Sequence, residues 1–590
     1  MLELYANKKR LQLPEDISVD MTWENPFLLQ DRIPAPYSMS FTLPGTKENY
    51  AAFGNPQRLN STGIKKEIAS NALFNSVTFL MGKLNFQEVE KKLKLNFQGD
   101  QLPGAVRKKL RDITMDHFNF GDGSRFFPDF NSGWAKLYKE TIFNNATSND
   151  KFACCPIRIE DEEWPYPEHQ GSFGNYAATK MYFNFFNVVD GDYLMKGGAT
   201  NIHTAIFPQP YVHHLLDIIF GDSLAANPFK TDSELKTLVM ATSFHKLFTD
   251  SLMSSYKGIL LDNTYQTSPN HFYLNSFLNS YAFNDFLKDL LKIFCFSLMP
   301  RSDGKWDIIH NKEILESTEV EDWSNKLVGT PVISYESGQT YTYGYSDHGE
   351  TNEEEGSGVE LDHINALLSA NAGTYRIKST GEVYEKKLKS KENEDDPDEF
   401  EYKLKKSGLG GNTEGDDTYS MVSSVAPMPM GIAEYWTENS YNGGIPKSPW
   451  YVPFFTNDRN ENNVAPFIGF NRGWIKTADG KLDNTGTYSN HYPFLSPFDK
   501  DLSGAQNSNY SLAWEGPNGL IEKFHKEFKT YIEKDKMVLK GNFRLSELDL
   551  KNMKYQRKKY IRGKKFFLRK VEGTLQKRRI GLVKCELIEA

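Results

Sequence analysis

Two runs near the start of the chain set the pattern. In "LFNSVTFLMGKLNFQEVEKKLKLNFQGD" (Leu73 to Asp100), apolar residues recur at alternate positions, first at Val77, Phe79, Met81, Leu84 and Phe86, then at Val89, Leu93, Leu95 and Phe97. Successive strand side chains point to opposite faces, so this period predicts two strands of an antiparallel sheet or barrel wall with one wet face. Gly82 inside the first run predicts a bulge or bend. Upstream, "YSMSFTLPGTKENYAAFGNP" (Tyr37 to Pro56) reads as a strand stopped at Leu43-Pro44-Gly45, then a polar turn and an aromatic anchor from Tyr50 to Phe53. Proline has no N–H for a ladder, which is why the pairing stops there.

Helical spacing takes over in the middle of the chain. "YVHHLLDIIFG" places Val212, Leu215, Leu216, Ile219 and Phe220 on one face and closes on Gly221. In "TDSELKTLVMAT", Thr231 three residues before Glu234 predicts a capping box. In "FNDFLKDLLKIFCFSLMPRSDGKWDIIHNKEIL", Asn284 is a candidate cap for a helix burying Phe283, Phe286, Leu287, Leu290, Leu291 and Phe294, and Asp303-Gly304 predicts a hairpin returning through "KWDIIH". "LPGAVRKKLRDITM" suggests a short helix with Pro103 in its first turn. Near the end, "GPNGLIEKFHKEFKTYIEKD" predicts a helix packed through Leu520, Phe524, Phe528, Tyr531 and Ile532. Strands follow in "KMVLKGNFRL", "KYIRGKKFFLRKVEGTL" and "RIGLVKCELIEA", with a hairpin turn at Arg562 to Lys565.

These segments predict a mainly β chain with an α+β module: two tube-like antiparallel β-barrel domains plus loop-rich inserted domains. The expected divisions are an N-terminal barrel at 1–100, a loop-rich domain at 101–210, the α+β module at 211–315, an acidic insertion or linker at 316–430, a loop-rich region at 431–510, and a C-terminal helix plus barrel at 511–590. Aromatic residues make up 14% of the 590, alongside 43 Gly and 27 Pro, which favours strands and loops over a helical protein. The stretch Glu350 to Glu401 is acidic and poor in apolar residues, the signature of a mobile insertion.

Charge is segregated. Net charge is −8, yet Lys551 to Lys584 carries fourteen Lys or Arg and one acid, Glu572. With Tyr555, Tyr560, Phe566 and Phe567 interleaved, a nucleic-acid reader is one reading. Alternation favours another, a hairpin with cations on its wet face and Tyr560, Phe566 and Leu568 turned inward. The cations singled out for an interface or a channel lumen are Lys558, Lys559, Arg562, Lys564 and Lys565.

Candidate chemistry is sparse. Adjacent His213 and His214 diverge on a helix and cannot chelate together, and His203 lies ten residues earlier. Asp190 to Asp192 and "GDGS" at Asp122 resemble fragments of calcium loops without the closing acid. Asp161, Glu162 and Glu163 are a conceivable glycosidase carboxylate cluster with no identifiable opposing acid. Four cysteines (Cys154, Cys155, Cys295, Cys585) show neither disulfide nor zinc spacing. G-x-S-x-G, P-loop and H-E-x-x-H motifs do not occur. The expectation is a non-enzyme with no cofactor and no metal. No apolar run approaches the roughly 18 residues of a membrane-spanning helix. Lys8, Lys9 and Arg10 precede polar sequence rather than an apolar signal core, so synthesis in a cytoplasm without secretory export is expected.

The order of these motifs resembles tail proteins of phages and prophages of Bacteroidetes-type bacteria. The matching pieces are "SFTLPGTKENYAAFGNP", "FPQPYVHHLLDIIFGDSLAANPFKTDSELKTLVMAT", "FLNSYAFNDFLKDLLKIFCFSLMPRSDGKWDIIHNKEIL" and "NFRLSELDLKNMKYQRKKYIRGKKFFLRKVEG" running to a final "CELIEA". The resemblance covers about half the chain, and residues 316–510 depart from it. It implies a structural baseplate hub or tail-tip protein, a homotrimer whose six barrels adapt the six-fold tail tube to a central spike. Implied partners are the tail tube protein, the tape measure protein, the spike or other baseplate proteins, and DNA passing through the lumen without sequence recognition. The implied location is the virion tail, assembled in the host cytoplasm. Two rival readings remain: a β-rich host-recognition protein gripping glycan, and a tail-associated cell-wall hydrolase.

Overall fold

The computed structural model describes residues 1–29, 37–75, 77–99, 102–115, 117–119, 150–153, 155–160, 180–183, 187–189, 192–194, 204–206, 208–241, 259–261, 271–273, 278–346, 358–390, 400–413, 415, 418–434, 449–456, 464–476 and 491–590. The fold is mostly β, built around a large curled antiparallel sheet with further sheets and helices, as the alternating runs predict.

The large sheet has 14 strands and draws on both ends of the chain. Leu2–Ala6 turns through Asn7 and Lys8 (φ 48° and 66°) into Lys9–Arg10, and pairs on its other side with Glu67–Phe74. Val77–Val89 and Lys92–Gly99 continue the sheet as the alternation predicts. Gly82 is not a bulge. It stays in register with Ser70 and Gly99, and the irregularities fall at Ala72/Leu73 and Phe86/Glu88. Close approach explains the glycine, since a Cβ there would lie 2.1 Å from the Gln98 carbonyl oxygen.

Phe41–Pro44 pairs with the far side of Lys92–Gly99 and ends at the proline, as expected. The polar stretch after it is a helix, Lys47–Ala52, rather than a turn, because the Thr46 hydroxyl accepts from the Asn49 N–H and caps it. Buried Asn49 fixes the whole device. Its carboxamide bonds the Gln12 N–H and carbonyl at 2.8 and 2.9 Å and the Pro44 carbonyl at 2.9 Å. Phe53 is buried beneath, as the aromatic anchor predicts.

The two ends of the chain meet directly. Ser18–Glu24 pairs along Lys564–Gln576, from Ser18↔Gln576 to Glu24↔Lys570. The Leu2 N–H reaches the Lys577 carbonyl at 2.7 Å. Asn25, fully buried, donates to the Leu568 carbonyl at 2.8 Å, and Phe27 packs against Phe567 and Phe528 with ring centroids 5.0 and 5.3 Å apart. Beyond Lys564–Gln576 the sheet continues through Val583–Glu589 and Lys536–Phe543 to Leu327–Glu336.

In the middle, Val212–Phe220 is a helix ended by Gly221 at φ 49°, and Phe283–Ile293 buries Phe286, Leu287, Leu290 and Leu291. The Asp303-Gly304 hairpin forms as predicted between Phe296–Pro300 and Trp306–His310. Two expected caps do not form. The helix starts two residues earlier than an Asn284 cap allows, with Ala282 as its cap residue, which leaves Asn284 inside the first turn. Asp232 instead of Thr231 accepts from the Glu234 and Leu235 N–H groups, while Glu234 reaches away to the Asn509 and Tyr510 N–H groups. The "LPGAVRKKLRDITM" segment forms two 3-10 turns, Gly104–Arg107 and Leu110–Asp112, instead of one helix.

The acidic insertion is corrected in part. Its described residues form a helix, Ile364–Ser369, and a sheet of Val359–Leu361, Gly373–Ile377, Val383–Leu388 and Phe400–Lys406. Few apolar residues suffice there because Ile364, Leu367, Ile377 and Tyr384 join Met430, Tyr451 and Phe494 in a second core. Residues 347–357 and 391–399 lie outside the described residues. The region expected to be loop-rich at 431–510 contains the strands Pro449–Thr456, Phe467–Lys476 and His491–Ser496.

Candidate assembly interface

The five singled-out cations sit on the hairpin of Lys558–Ile561 and Lys564–Gln576, where Arg562 and Gly563 turn at φ 44° and 99°. Positive φ at both central positions matches the twist of a tight two-residue hairpin. The structure separates the five cations into two groups.

Lys559 points inward, so it cannot serve as an exposed interface or lumen cation of this chain. Its side chain is 0% exposed, its ammonium lies 2.6 Å from the Glu321 carboxylate and 4.9 Å from the Trp323 ring centroid, and it donates to the Lys554 carbonyl. Burial lowers its pKa, opposed by the Glu321 hydrogen bond and charge. The cause is a neighbour that alternation within the hairpin does not reveal: Val320–Asp322 pairs in parallel with Lys558–Ile561 and puts Glu321 opposite Lys559. The inward residues of this strand are therefore Lys559 and Ile561, not Tyr560, while Phe566 and Leu568 are buried as expected. Lys558 is half-buried and donates to the Leu315 carbonyl at 2.6 Å.

Arg562, Lys564 and Lys565 are exposed at the hairpin tip. Lys564 pairs with Glu589 at 3.1 Å. Much of the remaining basic run is matched inside the fold. Arg569 holds Glu336 through two nitrogens at 2.7 and 2.8 Å and Glu586 at 3.0 Å. These hydrogen bonds help hold the Glu336 and Glu586 carboxyls below their usual range, against desolvation. Lys540 also meets Glu586, Lys570 meets Glu572, and Lys577 meets Glu15. The acids that neutralise the C-terminal strands come from Glu15, Glu319, Glu321, Glu336 and the strands themselves.

The other suggested chemistry does not gather into a site. His213 is buried, stacked on Tyr211 at 5.5 Å, and burial lowers its pKa. Cys155, Cys295 and Cys585 are buried, and burial pushes their thiol pKa values up. Cys154, Asp122, Asp161 to Glu163, Asp190 and His203 lie outside the described residues. No group of three or more His, Cys, Asp or Glu is placed to hold a metal among the described residues. A spacing not singled out from sequence, Asp499, Asp501 and Ser503 before Gly504, looks like a cation loop. Its carboxylates serve the loop itself: Asp501 accepts from the Ser503 and Ala505 N–H groups, and Asp499 from Asn518.

Sequence reasoning also missed two buried ionisable residues. His525 accepts from the Tyr341 hydroxyl at 2.7 Å and donates to the Ile293 carbonyl at 2.9 Å, so Nε2 carries the proton. Glu382 accepts from Thr380, Tyr384 and Tyr451 at 2.8, 3.1 and 2.6 Å. Local pattern signals neither, since His525 ends a π-helical turn, Ile521–His525, and Glu382 lies just before the strand Val383–Leu388.

No family model matches the chain, and no curated protein matches it. Among solved structures, the prophage MuSo2 43 kDa tail protein from Shewanella oneidensis aligns over 100% of this chain and 98% of its own, at 7% identity and a TM-score of 0.30. The tail protein from Neisseria meningitidis MC58 aligns over 100% and 96%, at 8% identity and a TM-score of 0.29. Scores this low carry no argument about fold or role. No helix among the described residues is long and apolar enough to cross a membrane.

Proposed function

We propose that this chain is a structural subunit of a phage tail, a baseplate hub or tail-tip protein that acts as a trimeric adaptor between the six-fold tail tube and a central spike. The observation that carries this reading is the curled sheet into which both termini fold. Strands from residues 2–99 and 536–589 form one continuous wall, stitched by Ser18–Glu24 against Lys564–Gln576. A wall of this kind suits continuation of a tube, where assembly removes exposed sheet edges. The motif order along the sequence supports the same reading.

In this role the chain does no covalent chemistry. Its partners are further copies of itself, the tail tube protein, the tape measure protein, the spike or other baseplate proteins, and DNA crossing the lumen. Arg562, Lys564 and Lys565 are the cations retained for partner or lumen contacts. Internal pairing of much of the basic run suits DNA passage, because a bore lined by every cation would hold phosphate instead of releasing it. Immunogold labelling of intact particles tests the reading. Label on the tail axis at its distal end is the expected result; label along the tail sides, or its absence from particles, overturns it.

A further inference from the structure

The inserted module closes on the strands Met430–Glu434 and Pro449–Thr456 around one acid that has no counter-charge. Glu382 is buried just before Val383–Leu388, and its carboxyl takes hydroxyls from both sides of the contact. Thr380 and Tyr384 reach it from the module at 2.8 and 3.1 Å, and Tyr451 from Pro449–Thr456 at 2.6 Å. Among the described residues no cation is set against it. Lys386, two positions beyond Tyr384 on the same inward face, gives its ammonium to the Leu367, Leu368 and Ala370 carbonyls. Lys378 meets Glu360 and Asp362, and Glu385 meets Lys387 and Lys405. Arg376, Glu401, Lys403 and Lys406 face solvent. Pro449–Thr456 carries no charged residue, and Glu434, the one charged residue of Met430–Glu434, pairs with Pro449 at the far end of that strand from Met430.

Two hydrogen-bond patterns fit this geometry, one for each protonation state. The Tyr384 hydroxyl also lies 3.4 Å from the Met430 carbonyl, across the contact. A protonated carboxyl can donate to Tyr384, which then turns its own proton to Met430 and ties the module down. When the carboxyl proton leaves to solvent, the carboxylate only accepts. Tyr384 then turns back to it, the Met430 tie is given up, and a charge is left in a dry core with no cation beside it. Burial accordingly raises the Glu382 pKa, to about 7, against the three hydroxyls. The chain leaves the module through Gly410 and Gly411, at φ 67° and 152°, where backbone torsions can change at little steric cost.

We propose that Glu382 is a proton-operated latch: protonated, it holds the inserted module shut against Pro449–Thr456, and ionised, it lets the module loosen about Gly410 and Gly411. Native-state hydrogen exchange of the full chain tests it, with amide protection followed from about pH 5 to about pH 8 in wild type and Glu382→Gln. A carboxyl whose folded pKa is raised stabilises the closed form fully below its unfolded value and loses that contribution as pH rises to the folded one. Protection across Gly373–Ile377 and Val383–Leu388 is therefore expected to fall about tenfold per pH unit up to about pH 7 and then level off. Glu382→Gln is expected to lack this fall. The comparison cancels His363, whose Nδ1 caps the helix Ile364–Ser369 in both proteins. Amides of Val583–Glu589 in the large sheet are expected to show no such fall in either. If Glu382→Gln misfolds, Tyr451→Phe reads the latch: losing a donor to the carboxylate raises the folded pKa further, so protection goes on falling above about pH 7. Protection independent of pH in wild type, an equal fall in Glu382→Gln, a parallel fall in Val583–Glu589, or a Tyr451→Phe profile that levels off where wild type does overturns the latch.

Discussion

His525 and Glu382 are both sealed from water, yet they respond to pH in opposite directions. His525 lies in the core that joins the large sheet to the helix Phe283–Ile293, and burial lowers its pKa to about 3. Glu382 lies where the inserted module meets the strand Pro449–Thr456, and burial raises its pKa to about 7 despite three hydroxyl donors. Desolvation is the first cause in both, because it penalises the charged form, which is the protonated state for histidine and the deprotonated state for glutamate. Around its histidine the larger core is aromatic, with the Tyr341 and Trp514 rings beside it, while elsewhere it buries the Lys559 ammonium against Glu321. The smaller one also buries Lys386, whose ammonium caps a helix through the Leu367, Leu368 and Ala370 carbonyls. A small core inside a sparsely apolar segment is thus closed by polar groups that satisfy one another.

The sharpest way to break that contrast is to put a charge into the larger core. Leu290→Asp or Phe286→Asp buries a carboxylate with no partner, at a cost above about 4 kcal/mol. The expected outcome is insoluble or unfolded protein, scored by the soluble fraction on expression. Soluble, native-like protein at both sites would remove the middle module from the account.

The pH responses come next in size. A histidine whose folded pKa is depressed is neutral in the folded protein but takes a proton when unfolded. Its contribution is therefore lost as pH falls below about 6.5, at about 1.4 kcal/mol per unit towards pH 3. The carboxyl of Glu382 runs the other way. Its raised folded pKa gives a contribution that is full below about pH 4.5 and lost as pH rises through about 7. Urea midpoints measured across this range should show His525→Gln flattening the acid limb and Glu382→Gln flattening the limb towards neutrality. Parallel profiles for wild type and both variants would mean that neither site is sealed.

A smaller loss is expected from Glu321→Ala, which strips the carboxylate from the buried Lys559 ammonium. Breaking a fully buried pair costs about 3–5 kcal/mol, and Glu321 is partly solvated, so about 2–3 kcal/mol is expected in chemical denaturation. A double change to Glu321→Leu with Lys559→Met should recover most of it, since an apolar pair leaves no charge uncompensated.

What the sequence made legible follows from the range of the interactions involved. Period-two runs, the helix faces at 212–220 and 283–293, and the turns at Asp303-Gly304 and Arg562-Gly563 depend on neighbours a few residues away, and they were readable. Lys559 was placed outside because its partner, Glu321, is 238 residues distant. Asn49, His525 and Glu382 are polar residues buried by tertiary contacts, and local pattern assigns such residues to the surface. The joining of the two termini was hidden for the same reason. Alternation identifies Lys564–Gln576 as a strand but does not say that Ser18–Glu24 pairs with it. The candidate interface was legible as charge and was reduced to the hairpin tip only by register.

The smallest stability effect, and the one that isolates function, is expected at that tip. Reversing Lys559 along with its neighbours is uninformative, because Lys559→Glu would face Glu321 in a dry pocket and unfold the strand. The informative set is Arg562→Glu, Lys564→Glu and Lys565→Glu. All three are exposed, and the one acid pair they lose, Lys564 with Glu589, is half in solvent, so stability should move by no more than about 0.5 kcal/mol. Tail assembly should nevertheless fail or slow, because a patch of three positive charges becomes three negative ones where a partner or the genome passes. DNA binding by the purified wild-type chain at physiological salt completes the test. Weak, salt-sensitive, sequence-independent binding fits a lumen wall. Tight, sequence-selective binding abolished by the triple reversal would make the hairpin a nucleic-acid reader and would remove the hub as its explanation.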